Sequence, residues 1–320
     1  MKLNQNELKS IAGVIEKSDR ILIIPHKNPD GDTIGGALGL YQVFLNMKKN
    51  PEILCYDEPP PVFSFLPNIE KVKVGESDLD HDSIFILDAG ATHLTGFHEK
   101  YPRLFNKSLE VVNIDHHPSN DYYGKYNLVV TEAASVTAIL YEMCTALNLP
   151  LDRSAATCFL TGIYTDTGSF MHSNTSSETL KIAARLLAKG ANLRAITKEI
   201  FNTTPLSTMR LWGRVMKNAY QTSDGVTVSV VTKRDFDDTG ADYSEMSGAV
   251  DYVNSVPGAD YSVILTERDG KVKGSLRTLK DDVDVAQIAG EYGGGGHTKA
   301  AGFTLPGYLE KEVRWKIVDK

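Results

Sequence analysis

Residues 21–32 read ILIIPHKNPDGD. The apolar run Ile21–Ile24 reads as a buried strand. It stops at Pro25 and opens into a turn carrying His26, Asn28, Asp30, Gly31 and Asp32. A helical pattern, TIGGALGLYQVFLNM, begins at Thr33. Asp32 or Thr33 can cap it, and Gly35 and Gly36 allow close backbone approach. One imidazole and two carboxylates thus leave the C-terminal edge of a strand, which in an open α/β sheet is where ligands bind. The set suits a divalent transition metal such as manganese, with iron, cobalt and zinc also compatible. Taken alone, the turn reads equally well as a polar loop whose aspartates cap the next helix.

Two further strands end the same way. SIFIL (83–87) runs into Asp88-Ala89-Gly90, and EVVNI (110–114) into Asp115-His116-His117-Pro118. Glu52–Tyr56 reads as another strand, after which three prolines, Pro59 to Pro61, break regular structure. Helical patterns cover 3–19, 135–147, 154–164 (running into Thr165-Asp166-Thr167-Gly168) and 177–189, the last closed by Gly190. Strands alternating with helices predict an α/β fold with a mostly parallel sheet flanked by helices. Strand ends of one parallel sheet lie side by side, so acids and imidazoles distant in sequence converge there. GxGxxG is not matched, so a dinucleotide fold has no support.

Past residue 190 the character changes. Residues 191–220 read as a helical linker interrupted at Pro205. From Val226 a smaller α/β pattern follows: strand 226–231, helix near 243–253, strands 261–267 and 271–277 around Asp269-Gly270, a helix near 283–290, then Gly293-Gly294-Gly295-Gly296-His297 and a strand near 301–305. The expected domains are 1–190, linker 191–220, and 221–320. Residues 309–320 form a short mixed tail.

At 320 residues two domains are the prior, and 42% hydrophobic with 23% charged residues describe an ordinary globular chain. No apolar run is long enough to span a membrane, and MKLNQNELKS lacks a signal-peptide core. Three scattered cysteines, Cys55, Cys144 and Cys158, form neither a disulfide framework nor a thiolate cluster, which fits a reducing cytoplasm. The net charge of −7 argues against tight binding to long duplexes. Small nucleotides held by local contacts stay open.

Four segments, HKNPDGD, ILDAG, NIDHHP and GIYTDTGSF, together resemble the motifs of the DHH phosphoesterase superfamily, and GGGGHTKAAGF resembles the signature of its associated C-terminal domain. The five motifs follow the expected order over residues 26–303. Length and architecture are most similar to the stand-alone oligoribonuclease and phosphoadenosine-phosphate phosphatase group.

The resemblance implies two divalent metals, manganese by preference, in a cleft between the domains. Residue by residue, His26 and Asp30 would bind the first metal, Asp32, His116 and Asp166 the second, and Asp88 would bridge. Asp115 would orient a ligating imidazole, and His117 would face the substrate phosphate or leaving oxygen as donor or general acid. Arg277, Gly295, Gly296 and His297 would bind substrate, the glycines by admitting an anion to the backbone. Ser135 would be a weaker substrate contact. The implied substrates are short RNA, linear pApA or 3′-phosphoadenosine 5′-phosphate, in a cytoplasmic enzyme compatible with a homodimer. A manganese inorganic pyrophosphatase and a catalytically silent nucleotide-binding module are the rival readings. His81, His93 and His98 are expected at the surface, His172 near the site, Trp212 in packing, and Asp235, Asp237, Asp238, Asp281 and Asp282 in solvated turns.

Overall fold

The structure, a computed structural model, describes residues 3–201, 204–246, 248–310 and 312. The rest of the expected C-terminal tail lies outside them. The chain divides into two units, Met1–Thr203 and Thr204–Lys320. The break falls inside the expected linker. Its two helices, α6 (Leu193–Phe201) and α7 (Leu206–Asn218), belong to different units. Each buries apolar side chains of its own, Ile196 on α6 and Leu211 and Val215 on α7.

The first unit is built on a parallel sheet of β1 (Arg20–Pro25), β2 (Asn50–Cys55), β3 (Val72–Val74), β4 (Ser83–Leu87), β5 (Val111–Asp115) and β6 (Tyr126–Val129). The spatial order is β3-β2-β1-β4-β5-β6, every pair parallel. The order reverses between β1 and β4, and a doubly wound sheet opens its ligand crevice at such a point. β4 and β5 are buried throughout, as strands covered on both faces must be. The helices are α1 (Gln5–Lys17), α2 (Gly31–Asn46), α3 (Val136–Ala146), α4 (Arg153–Asp166), α5 (Ser177–Ala188) and α6. The short edge strands β3 and β6 were not read from sequence. At three and four residues they are too short for a period to show.

The pair α2 and α4 forms the tightest helix contact. A Cβ on Gly31 would meet the Thr165 side chain at 2.4 Å, on Gly35 the Cys158 carbonyl at 2.5 Å, and on Gly39 the Phe159 ring at 2.3 Å. Glycines four residues apart lie on one helical face, so backbone meets backbone at Gly35, and Gly31 and Gly39 make room for the Thr165 and Phe159 side chains on either side of it. The contact runs antiparallel, which sets the first turn of α2 beside the last turn of α4.

The second unit is a sheet in the order β11-β12-β10-β9-β8-β7. Its strands are β7 (Tyr220–Gln221), β8 (Val226–Val231), β9 (Tyr261–Arg268), β10 (Lys271–Arg277), β11 (Gly295–His297) and β12 (Ala300–Pro306). Helices α7, α8 (Lys233–Thr239), α9 (Ala249–Asn254) and α10 (Val285–Gly290) accompany it. The helix expected near 243–253 is broken. A 3-10 turn covers Tyr243–Met246, and Gly248 at φ +87° precedes α9. Trp212 packs as expected, its Nε1–H donating to the Glu245 carbonyl at 2.8 Å. Asp235 is not in a solvated turn: it is buried and closes a capping box with Thr232 at the start of α8.

Candidate metal centre

Five elements deliver side chains to one point. β1 ends at Pro25, and His26 follows it directly. The N-cap of α2 is Asp30, not Asp32 or Thr33. Its Oδ1 accepts the Asp32 and Thr33 N–H groups, both at 3.0 Å. That cap frees Asp32, one residue into the helix, to turn inward, where it is buried. β4 ends into Asp88 at φ +58°, left-handed backbone that aspartate tolerates better than most residues. β5 delivers Asp115, His116 and His117, and α4 ends on Asp166.

These side chains form two groups that meet at Asp88. His26 Nε2 lies 3.7 Å from Asp30 Oδ1 and 3.5 Å from Asp88 Oδ2. His116 Nε2 lies 3.5 Å from Asp88 Oδ1 and 3.8 Å from Asp166 Oδ2. His26, Asp30 and Asp88 could hold one ion, and Asp32, His116 and Asp166 another; Asp88, His116 and His117 also approach one another closely enough to do so. Both outer imidazoles have Nδ1 beside a backbone carbonyl, of Lys27 at 2.7 Å for His26 and of Ala133 at 3.3 Å for His116. Donating that proton fixes the tautomer whose Nε2 lone pair faces the carboxylates, the usual arrangement of a ligating histidine.

Charge explains the protonation of these groups in the absence of metal. Burial works to lower the imidazoles, but Asp30 and Asp88 outweigh it and push His26 up to about 11. Asp88, with Asp32 and Asp166, does the same for His116, to about 10. Burial raises Asp166 to about 6 and Asp32 well above the usual carboxylate range, helped by neighbouring carboxylates. Burial also opposes ionisation of Asp88, yet His116 and His26 hold it below the usual range. Asp88 Oδ1 is buried without a hydrogen-bond partner, which is costly for a polar atom. A buried carboxylate that faces the His26 Nε2 with one oxygen and the His116 Nε2 with the other, the latter unsatisfied, fits a divalent cation that displaces the imidazole protons, and the donor set fits two.

Asp32 is held from outside the cluster. Its Oδ2 accepts the Val136 N–H at 2.6 Å, and its Oδ1 accepts the Thr137 N–H at 3.0 Å and the Thr137 hydroxyl at 2.6 Å. Asp32 thus sits on the N-terminus of α3, where the helix dipole favours an anion. Gly162 on α4 leaves room: a Cβ there would meet Thr137 at 2.4 Å and Asp32 at 2.6 Å. The sequence reading missed both residues.

The expected role of Ser135 is corrected. It is fully buried, N-caps α3 by accepting the Ala138 N–H at 3.1 Å, and shares a hydrogen bond with Thr137, so it is closed to substrate. His117 is open, its side chain 43% exposed, with Nδ1 2.8 Å from Asp115 Oδ1. His81 is not at the surface: its side chain is largely buried against Glu52 at 3.0 Å.

In the second unit, strand register places Ser262, Arg277, Ala300 and His297 in one row across β9, β10, β12 and β11. Residues in register share a face, so Arg277 and His297 stand on the same side, two strands or about 10 Å apart. Arg277 borders a cavity of about 540 Å³ that also takes in Lys273 and Ser275. The second half of the glycine run, Gly295 and Gly296, lies in β11, and Gly293 in the turn before it has φ +70°. A Cβ on Gly294 would meet the Gly302 carbonyl at 2.2 Å, and one on Gly296 the Ala300 carbonyl at 2.5 Å. Gly295 has open space over it and is exposed, as is His297.

Two family models match this chain: the N-terminal domain of the DHH family over residues 20–163, and the DHHA1 domain over residues 223–319. The chain belongs to the DHH family. A relative from Thermus thermophilus named bifunctional oligoribonuclease and PAP phosphatase NrnA is 34% identical, over 96% of this chain and 89% of its own length. Relatives of the same name from Mycoplasma genitalium and Bacillus subtilis are 28% and 27% identical, each match covering more than nine-tenths of both chains. The crystal structure of an exopolyphosphatase-related protein from Bacteroides fragilis superposes with a TM-score of 0.88 at 24% identity, covering 96% of this chain and 93% of that one. It shares the fold.

Proposed function

We propose that this protein is a metal-dependent phosphoesterase that hydrolyses short oligoribonucleotides, including pApA, to 5′-mononucleotides, and 3′-phosphoadenosine 5′-phosphate to AMP. The observation that carries the reading is the pair of ligand groups joined at Asp88, each with a tautomer-fixed imidazole. The relatives' names supply the substrate class.

In this reading His26 and Asp30 would hold one ion and Asp32, His116 and Asp166 the other, with Asp88 able to serve both. Such ions would supply a water of lowered pKa and positive charge for the phosphoryl oxygens. Manganese is the preferred metal on ligand chemistry. Asp115 keeps the His117 ring in place and raises its pKa, and His117, as the imidazolium, donates through Nε2 to the phosphate or protonates the leaving oxygen. Arg277, with its planar fork of donors, the open backbone at Gly295 and Gly296, and His297 hold the rest of the nucleotide. Among the described residues no helix is long and apolar enough to cross a membrane; a cytoplasmic site of action, and a homodimer, go with the family resemblance.

The test is product analysis with manganese on pApA, a pentaribonucleotide, 3′-phosphoadenosine 5′-phosphate and pyrophosphate in parallel. Release of AMP or mononucleotides with little phosphate from pyrophosphate is expected. Activity confined to pyrophosphate, or nucleotide binding without hydrolysis at any divalent metal, overturns the proposal.

A further inference from the structure

Asp115 is fully buried, and its two oxygens are used unequally. Oδ1 accepts the N–H of His116 at 2.8 Å and of His117 at 3.2 Å, and lies 2.8 Å from His117 Nδ1. Oδ2 accepts the side-chain amide of Asn120 at 2.5 Å. A carboxylate takes only donors, so the Asn120 NH2 must face Asp115 and its carbonyl must face away. That carbonyl accepts the Tyr122 N–H at 2.8 Å and the buried Asn113 NH2 at 2.9 Å. Asn113, on the same face of β5 as Asp115, gives its other N–H to Asn127 Oδ1 at 3.1 Å. Amide donors therefore run one way along Asn113 and Asn120 to the carboxylate, and in a buried chain of this kind each bond polarises the next.

A second distance shows what the chain prevents. His117 Nδ1 is also 3.5 Å from Asp88 Oδ1, the buried oxygen without a hydrogen-bond partner. The imidazole has two acceptors within reach, and Asp115 keeps it only while its own carboxylate is fixed. With Oδ2 stripped of its donor, the carboxylate must turn to find another, because a buried anion left unsatisfied is costly. His117 would then be free to bond Asp88, the atom meant for the cations.

We propose that Asn120, set in place by Asn113, is a positioning residue: through Asp115 it commits His117 Nδ1 to the carboxylate, leaving Nε2 as the nitrogen presented to substrate and Asp88 Oδ1 clear for metal. The proposal rests on the phosphoesterase reading for its consequence in turnover, but not for its geometry.

The experiment compares wild type with Asn120→Ala as Mg2+-loaded full-length protein, with His117 assigned through His117→Gln. Nitrogen-15 spectra of the histidines read the His117 Nδ1–H, whose resonance reports the oxygen that accepts it, and hydrolysis of a pentaribonucleotide reads kcat and KM. Expected are a hydrogen-bonded Nδ1–H at His117 in wild type, a moved Nδ1–H resonance in Asn120→Ala, and a kcat lower by about 10- to 100-fold. KM should hold within about a factor of two, since the loss falls on the transition state. Should Asn120→Ala fail to fold, Asn113→Ala keeps the Asn120–Asp115 bond but removes its anchor. The same change in the resonance, smaller in extent, is then expected. An unchanged His117 Nδ1–H resonance in the folded variant overturns the proposal, as does a moved resonance with wild-type kcat. A wild type that turns over no nucleotide, with the resonance still moved in the variant, refutes the function and leaves the positioning role standing.

Discussion

Replacing Thr137 by valine removes one of the three donors that fix Asp32, and does so without changing side-chain volume. The hydroxyl donates to Asp32 Oδ1 at 2.6 Å inside a fully buried setting. A hydrogen bond to a charged acceptor contributes about 1.5–3 kcal/mol. The Val136 and Thr137 N–H groups still hold the carboxylate, so the lower end applies, about 1.5–2 kcal/mol, equivalent to about 10- to 30-fold in a binding constant. That agrees with the roughly 10- to 100-fold cost of removing a partner of a metal ligand. The loss should fall on one ion only, because Asp32 groups with His116 and Asp166 and not with His26 and Asp30. Calorimetric titration with Mn2+ should therefore show one weakened site and one nearly unaffected. Thr137→Ser, which keeps the hydroxyl, should stay near wild type. Equal weakening of both sites, or wild-type affinity in the valine variant, would refute the assignment of Asp32 to a single ion.

Asp88→Ala should abolish turnover and bind at most one Mn2+ per chain, since both groups lose their shared oxygen pair; normal manganese-dependent activity would place the site elsewhere. The pH dependence has a definite sign. In protein stripped of metal, His26 and His116 titrate at about 11 and about 10, above the ordinary 6.5. A raised folded-state value gives stability that is full below 6.5 and lost as pH rises through 10–11. The melting temperature of the stripped protein should fall over that range, whereas Mn2+-loaded protein, with neutral ligating imidazoles, should not show the fall. For the same reason metal affinity should rise with pH as the imidazolium protons are displaced. Gly35→Ala forces a Cβ to 2.5 Å from the Cys158 carbonyl; overpacking of this kind costs about 1–3 kcal/mol, read as a lowered denaturation midpoint, whereas Gly13→Ala, with open space around it, should be neutral or stabilising. Arg277→Ala should raise KM for oligoribonucleotides while leaving Mn2+ binding intact. A variant that loses metal would show that Arg277 supports the centre instead.

What was legible in the sequence follows from where its signal lies. His26, Asp88 and His116 each follow or end a continuous apolar strand, so chain order alone announced their convergence. The strand-ends of a parallel sheet have one geometry, and periodicity suffices to read it. Thr137 could not be read so. It bonds Asp32 across more than a hundred residues, and only the packing of α2 against α3 and α4 brings them together. Asn120 and Asn113 look like turn and strand residues in sequence; burial turns them into a donor chain. Ser135 was misjudged because its neighbourhood, and not its side chain, faces the site. His81 was misjudged because loop-like surroundings in sequence hid the contact with Glu52. The helical character of 191–220 and its break at Pro205 were legible, but not that α6 and α7 each pack into the core of a different unit.

The glycine face of α2 carries a consequence for how this chain can vary. Gly35 lets two helix backbones meet directly, and Gly31 and Gly39 seat the Thr165 and Phe159 side chains against bare backbone, so the span from Asp30 and Asp32 to Asp166 is set by a helix contact with little slack. An inserted or deleted residue inside that stretch would swing the remaining glycines about 100° around the helix axis and drive side chains into α4. Insertions between β2 and β4, or between β4 and β5, meet no such constraint. Lineages of this fold should therefore keep α2 at fixed length and spend their length changes on those loops. Anyone transplanting the centre to another scaffold must carry the two helices across as one piece.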